Sequence, residues 1–393
     1  MNIILISAFL EDEVYNHILD DEFMDSVICK EDHFYHRIAK SLSLKGYNPT
    51  MVYLSTQKSK KEFTHKYGHK IIRYPVKKIP FLHEPIIFSE GLIDEIIKNY
   101  DLCFIVSGYY VFYKIPDMFD YIVFRIHKKI PIIARWAGGD HRWLFPIRKN
   151  IKIKSLKMCN KIICAGKEER DILKKKFKIN PQNIVSINNP IDGELFKKRS
   201  KKYVCSRLNL NENNKYFLYV GRLIHNKGIE ELLETFKNFT NLNKDLILIL
   251  IGEGPLKNYI LEYIEKNFIK DKVILTGRLE HEQICYYYNV ASVLFHIGTS
   301  GGMPNAILEA ISSGLPIIAS RNGANSDLVN EEMKTGIIIE PGNKIELKNA
   351  IETILSNEKN EENFSLIENN SYFSFERYGE EILKIYDEIK NSK

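Results

Sequence analysis

Short, continuous apolar runs alternate along the whole chain with segments whose apolar positions recur at helical spacing. Residues 3–7, 50–54, 102–106, 130–134, 161–164 and 184–187 are predicted strands, as are 216–220, 246–251, 273–276, 293–295, 316–319 and 335–339. A strand that is apolar at every position is buried on both faces, which happens when helices cover a parallel sheet from both sides. Helices are clearest in the second half. After Gly228, the residues Ile229, Leu232, Leu233, Phe236 and Phe239 share one face, with Glu230, Glu231, Glu234 and Lys237 opposite. After Pro304, the residues Ala306, Ile307, Ala310 and Ile311 do the same; Pro304 suits the first helical position and Gly314 the stop. Leu347, Ala350, Ile351 and Leu355 repeat the pattern, and Tyr378, Ile382, Ile385, Tyr386 and Ile389 make the last segment amphipathic. The strand–helix rhythm is interrupted at 192–203 by Gly193 and a basic run, where a domain boundary is expected.

A chain of 393 residues is long for a single core, so two α/β domains are the natural reading. The composition, 44% hydrophobic and 27% charged, is that of a globular protein, and no apolar stretch has the length of about 18 residues that a membrane span needs. Residues 3–10 run directly into Glu11-Asp12-Glu13 and read as a first core strand, not a leader. The cysteines at 29, 103, 159, 164, 205 and 285 form no C-x-x-C pair and no His/Cys cluster at metal-ligand spacing. They read as reduced thiols of a cytoplasmic protein. Net charge is only +6 and no nucleic-acid-binding signature appears, so nucleic acid is not an expected partner.

Two strand-to-helix junctions carry the candidate chemistry. In Gly221-Arg222-Leu223-Ile224-His225-Asn226-Lys227-Gly228 a tight turn puts two cations beside a helix start, where free N–H groups and the helix dipole already favour an anion. Arg222 suits bidentate contact with a phosphate and Lys227 acts as a point charge; the bland alternative is two solvated cations. In Gly298-Thr299-Ser300-Gly301-Gly302-Met303-Pro304-Asn305 the glycines let a ligand approach the backbone. Glu309 follows on an otherwise apolar helix face, placed to accept bonds from vicinal hydroxyls unless it is an ordinary surface glutamate.

With these junctions the chain resembles a family-four glycosyltransferase. The likeness is strongest over 216–342, with support from Gly252-Glu253-Gly254-Pro255, Leu275-Thr276-Gly277-Arg278-Leu279, Gly314-Leu315-Pro316, Gly323, Thr335-Gly336 and Asn189-Pro190-Ile191-Asp192. The resemblance implies the α/β GT-B fold: two Rossmann-like, doubly wound parallel-sheet domains facing across a cleft. It implies a donor domain over 203–372 and an acceptor-side domain over 1–196, onto which 373–393 packs back. Arg222 and Lys227 then neutralise the donor diphosphate, with Asp140 as a further catalytic residue. Glu309, the second glutamate of the E-x7-E motif, holds the ribose; Gly301, Gly302, Met303, Pro304 and Asn305 line the sugar and phosphate; Arg278 and Leu279 sit near the base. Two positions depart from the family pattern: Gly301 replaces the first motif glutamate, and Ala137 stands where the loop preceding Asp140 has a histidine.

The activity so implied is retaining transfer of a sugar from a nucleoside-diphosphate sugar, a co-substrate, to a hydroxyl of a glycan or lipid-linked acceptor in cell-envelope synthesis. No metal or other cofactor is expected. The acidic clusters Glu11-Asp12-Glu13 and Asp20-Asp21-Glu22 are not placed as a metal-binding D-x-D after a strand, and the two cations take the ion's place. His141, Arg142, Trp143, Arg148 and Lys149, continued by Lys152, Lys154 and Lys157, mix cations with large apolar groups. That mixture suits an acceptor lipid or the anionic inner face of a membrane, against the alternative of a solvated basic helix face. A non-catalytic nucleotide-sugar-binding protein and a nucleotide-sugar epimerase of the same architecture stay open. A dinucleotide oxidoreductase fits poorly, because no G-x-G-x-x-G follows the first strand.

Overall fold

The computed structural model describes residues 1–10, 28–29, 34–55, 59–79, 86–107, 118–136, 146–241, 243–299, 304–330, 334–357 and 373–391. The chain forms two compact units, Met1–Pro190 together with Phe375–Lys393, and Ile191–Ser374. It passes into the second unit after Pro190 because Ile191 and Phe196 are already buried in that unit's core, and the Ile191 N–H bonds to the Phe373 carbonyl.

Among the described residues, the first unit holds strands β1 (Asn2–Leu10), β2 (Asn48–Ser55), β3 (Lys61–Thr64), β4 (Lys70–Pro75), β7 (Leu102–Ser107), β8 (Ile132–Trp136), β9 (Lys161–Cys164) and β10 (Ile184–Ser186) in one sheet, ordered β10-β9-β8-β7-β1-β2-β4-β3. All its pairings are parallel except β3 with β4; β5 (Lys77–Ile79) and β6 (Ile86–Phe88) make a separate antiparallel pair. The sequence pattern did not predict β3, β4, β5 or β6. In β4, Arg73 and Pro75 break the apolar run, yet Arg73 is buried, and β3 alternates half-buried with exposed positions as an edge strand does.

The helix Phe375–Asn391 belongs to this first unit. Tyr378, Ile382, Ile385 and Ile389 pack with Tyr35, Ile38 and Leu42 of the helix Phe34–Ser43. The two helices approach so closely that a Cβ on Gly379 would lie 2.5 Å from the Ser41 carbonyl oxygen. Gly379→Ala is therefore expected to cost about 1–3 kcal/mol, read by chemical denaturation, as overpacking does. A loss below a few tenths of a kcal/mol would mean that the helices separate freely.

The second unit carries β11 (Lys215–Val220), β12 (Leu246–Ile251), β13 (Val273–Gly277), β14 (Val293–His296), β15 (Ile317–Ser320) and β16 (Gly336–Ile339), ordered β13-β12-β11-β14-β15-β16 and all parallel. Alternate residues of β11 feed the cores on its two faces, Phe217 and Tyr219 one, Tyr216 and Leu218 the other. β11 pairs with β12 on one side and β14 on the other, so the strand order reverses between β11 and β14. At such a switch point the loops leaving the two strands diverge and open a crevice outside their carboxyl ends.

One helix boundary differs from the expectation. Pro304 is extended (φ −85°, ψ 93°) and precedes the helix Asn305–Ser313, whose Ile307 and Leu308 N–H groups bond back to the Pro304 carbonyl. A cap needs only that carbonyl, so the missing proline N–H costs nothing. Gly314 ends the helix in the left-handed region (φ +71°), as expected.

Candidate active site

The loops that leave β11 and β14 are tied together by backbone. The Gly221 and Leu223 N–H groups bond to the carbonyls of Ile251 and Glu253, which fixes the turn carrying Arg222. Beyond it, His225–Lys227 form one turn of 3-10 helix, and Gly228, left-handed at φ +72°, opens the helix Ile229–Thr240. A Cβ on Gly228 would lie 2.8 Å from the Ile297 carbonyl oxygen, and one on Gly298 would lie 2.9 Å from Lys227 Cα. The Thr299 N–H bonds to the Asn226 carbonyl at 2.9 Å. Glycine at both positions thus lets the two loops touch, and Lys227 is held between them at the switch point.

Arg222 is exposed and Lys227 half-buried. Among the described residues, neither forms an ion pair. Burial, and then the Arg222 charge, push the Lys227 ammonium below the usual lysine range. His296, at the end of β14, is pushed down to about 4 by burial and then by the Lys227 charge, so it is neutral near pH 7. Two uncompensated cations with a neutral imidazole beside them make a strong local positive potential. A doubly charged anion removes that penalty.

Glu309 is no surface glutamate. It is 3% exposed, and its Oε2 accepts a hydrogen bond from the Tyr288 hydroxyl at 2.9 Å. His281 Nε2 lies 3.4 Å from its Oε1, and both partners sit on the helix His281–Val290. Phe196 meets the rings of Tyr288 and His281 edge-on, at 5.8 Å and 6.1 Å, and walls this pair. The carboxylate is thereby fixed in rotamer before any ligand arrives.

Tyr288, His281 and His296 were not singled out from the sequence. Tyr288 is the last of three consecutive tyrosines, and only the fold shows which one reaches Glu309. Pro304 is buried and Asn305 half-buried at the start of the Glu309 helix. Arg278 is exposed and Leu279 half-buried after β13, two strands from β11, on a strand end distinct from the one carrying Arg222 and Lys227. Gly301, Gly302, Met303, Asp140, His141, Arg142 and Trp143 lie outside the described residues. Arg148 falls within the helix Pro146–Met158, and Lys149 is half-buried there. Lys152 does not belong to an outward basic face. Its side chain is 3% exposed and pairs with Asp120 at 3.0 Å, leaving Lys154 and Lys157 exposed.

Residues 33–195 match the profile of glycosyltransferase family 4, and residues 205–370 that of glycosyl transferases group 1. The chain belongs to this glycosyltransferase family. Its relatives include the alpha-monoglucosyldiacylglycerol synthase of Streptococcus pneumoniae, 26% identical over 220 residues (52% of this chain, 49% of the relative). Another is the UDP-Gal:alpha-D-GlcNAc-diphosphoundecaprenol alpha-1,3-galactosyltransferase of Escherichia coli, 31% identical over 199 residues (49% of this chain, 51% of the relative). The chain thus spans about half the length of these curated relatives. The Anabaena protein HepE, solved with UDP, has a TM-score of 0.68 and 14% identity, covering 99% of this chain and 100% of its own. That likeness shows the fold, which is GT-B.

Proposed function

We propose that this glycosyltransferase is retaining, uses a nucleoside-diphosphate sugar without a metal ion, and transfers to a hydroxyl of a glycan or lipid-linked acceptor in cell-envelope synthesis. The observation that carries the donor reading is the pair of cations, Arg222 and Lys227, at the β11/β14 switch point, which form no ion pair among the described residues. As the glycosidic bond of the donor breaks, negative charge collects on the departing diphosphate. Cations already fixed in place stabilise that charge more than the ground state, which lowers the barrier. The departing phosphate then takes the acceptor's proton on the same face, so no protein base is invoked. Glu309, locked by Tyr288, supplies a fixed acceptor for the two ribose hydroxyls.

Supporting the donor class, HepE was solved with UDP and with UDP-glucose. Supporting a lipid-linked acceptor, the named substrates or products of two relatives are a diacylglycerol glycolipid and a diphosphoundecaprenol. Exposed Lys154 and Lys157 suit the anionic surface on which such acceptors reside.

A thermal-shift screen of UDP, GDP and ADP tests the reading. The matching diphosphate at about 100 times its Kd should add roughly 2.7 kcal/mol of stability, without added metal and in the presence of EDTA. No shift with any of them removes the donor assignment; a shift seen only with a divalent ion removes metal independence.

A further inference from the structure

The first unit assembles a cluster that the chemistry above does not use. His36 lies on the helix Phe34–Ser43, and His65 and His69 are the two ends of the turn joining β3 to β4. That turn is closed by the His65 N–H bonding to the His69 carbonyl at 3.0 Å and the Gly68 N–H to the His65 carbonyl at 2.8 Å. All three imidazoles are buried, at 0%, 2% and 3% exposure, and each brings a ring nitrogen within 4.8 Å of the other two.

We propose that His36, His65 and His69 bind one divalent transition-metal ion of the zinc class. The ion would clip the β3–β4 hairpin to the helix beneath it.

The chemistry of the donors supports this. Zinc binds imidazole nitrogen at about 2.0–2.1 Å, so two nitrogens on one tetrahedral ion lie about 3.4 Å apart. The ring nitrogens present lie within 4.8 Å of one another, so the rings have to close by at most about 1.4 Å to share an ion. The His36–His69 and His65–His69 rings are stacked, with centroids 5.1 Å and 4.6 Å apart and interplanar angles of 26° and 22°, so they have to turn to converge on an ion. The His36–His65 pair, stacked at 3.9 Å, has to open slightly. His36 Nδ1 and His69 Nε2 are 2.8 Å apart, so without an ion they share a proton where an ion would sit. The other nitrogen of His36 is held by the Tyr53 hydroxyl at 2.7 Å, the kind of outer partner that fixes the tautomer of a ligating histidine.

His69 Nδ1 is buried with no partner among the described residues, so this ring is anchored on its Nε2 side alone and can turn. The Tyr67 N–H reaches His65 Nδ1 at 3.2 Å, the long end of the range, and this weak bond is the one a turning His65 ring gives up. Imidazole-only donors favour zinc, copper, nickel or iron(II) over magnesium or calcium, and three protein ligands leave a fourth position to water.

The full chain, stripped with a chelator and titrated with Co²⁺, tests the site. The expected result is one Co²⁺ per chain with a visible d–d band that Zn²⁺ abolishes at 1:1. His69→Ala should lose the band, Tyr53→Phe should weaken affinity about 10–100-fold, and His127→Ala, outside the cluster, should bind as the parent does. Circular dichroism confirms folding of each variant; if His69→Ala does not fold, His65→Gln is the second ligand variant. No stoichiometric cobalt on the parent protein overturns the proposal whatever the variants do. So does binding that survives both ligand variants, which would place the ion elsewhere.

Discussion

Arg222→Ala is expected to lower kcat by about 10²–10³-fold, as removal of one preorganised donor from developing negative charge does. Lys227→Ala should act similarly. The Arg222 turn is held by the Gly221 and Leu223 backbone bonds to Ile251 and Glu253 after β12, and Lys227 by backbone contact with the β14 loop, so the loss reflects charge rather than a displaced loop. The pH profile separates them. Lys227 works charged, and burial with the Arg222 charge lowers its pKa. Activity should therefore fall on the alkaline side earlier than an ordinary lysine would dictate, and Lys227→Arg should move that limb upward.

The sign for stability is opposite. Between the depressed and the ordinary lysine pKa, the unfolded chain binds more protons at this position than the folded one. This group therefore makes the ligand-free protein more stable as pH rises through that window while activity declines. An alkaline limb unmoved in Lys227→Arg would assign that limb to another group. A kcat loss below tenfold in Arg222→Ala would remove the arginine from the transition state.

The sequence announces the second unit more fully than the first, for a physical reason. The inner strands β11, β12, β14 and β15 are buried on both faces and read as apolar runs, and the half-buried edge strands β13 and β16 keep the same apolar character. Loops at their ends must carry whatever polar chemistry the unit has, and Arg222, Lys227 and Glu309 were legible on those grounds. Side chains whose meaning depends on a partner distant in the chain were not. His36 becomes a possible ligand only when the β3–β4 turn brings His65 and His69 to it, and β4 itself was hidden by Arg73 and Pro75. Tyr288 and His281 acquire a role only once their helix lies beside Glu309. Lys152 was misread for the same reason. Local sequence places it among solvated lysines, whereas Asp120 on the helix Met118–Ile126 draws it inward.

That inward pair gives the second large expectation. Lys152 and Asp120 are both 3% exposed at the side chain, and Ser155 Oγ donates to the same carboxylate. Moving two charges out of water is costly, and their attraction offsets the cost only while both are present. Asp120→Ala should therefore lower the unfolding free energy by about 3–5 kcal/mol, because the Lys152 charge stays in the core without this carboxylate. Asp120→Leu/Lys152→Met should recover most of the loss, since apolar groups of similar volume carry no desolvation penalty. Urea denaturation followed by tryptophan fluorescence isolates the effect, as both tryptophans, Trp136 and Trp143, belong to the first unit. If the double variant is as unstable as Asp120→Ala, the defect is one of packing and not of charge. If Asp120→Ala loses less than about 1 kcal/mol, water reaches the pair and it has the small worth of a surface ion pair.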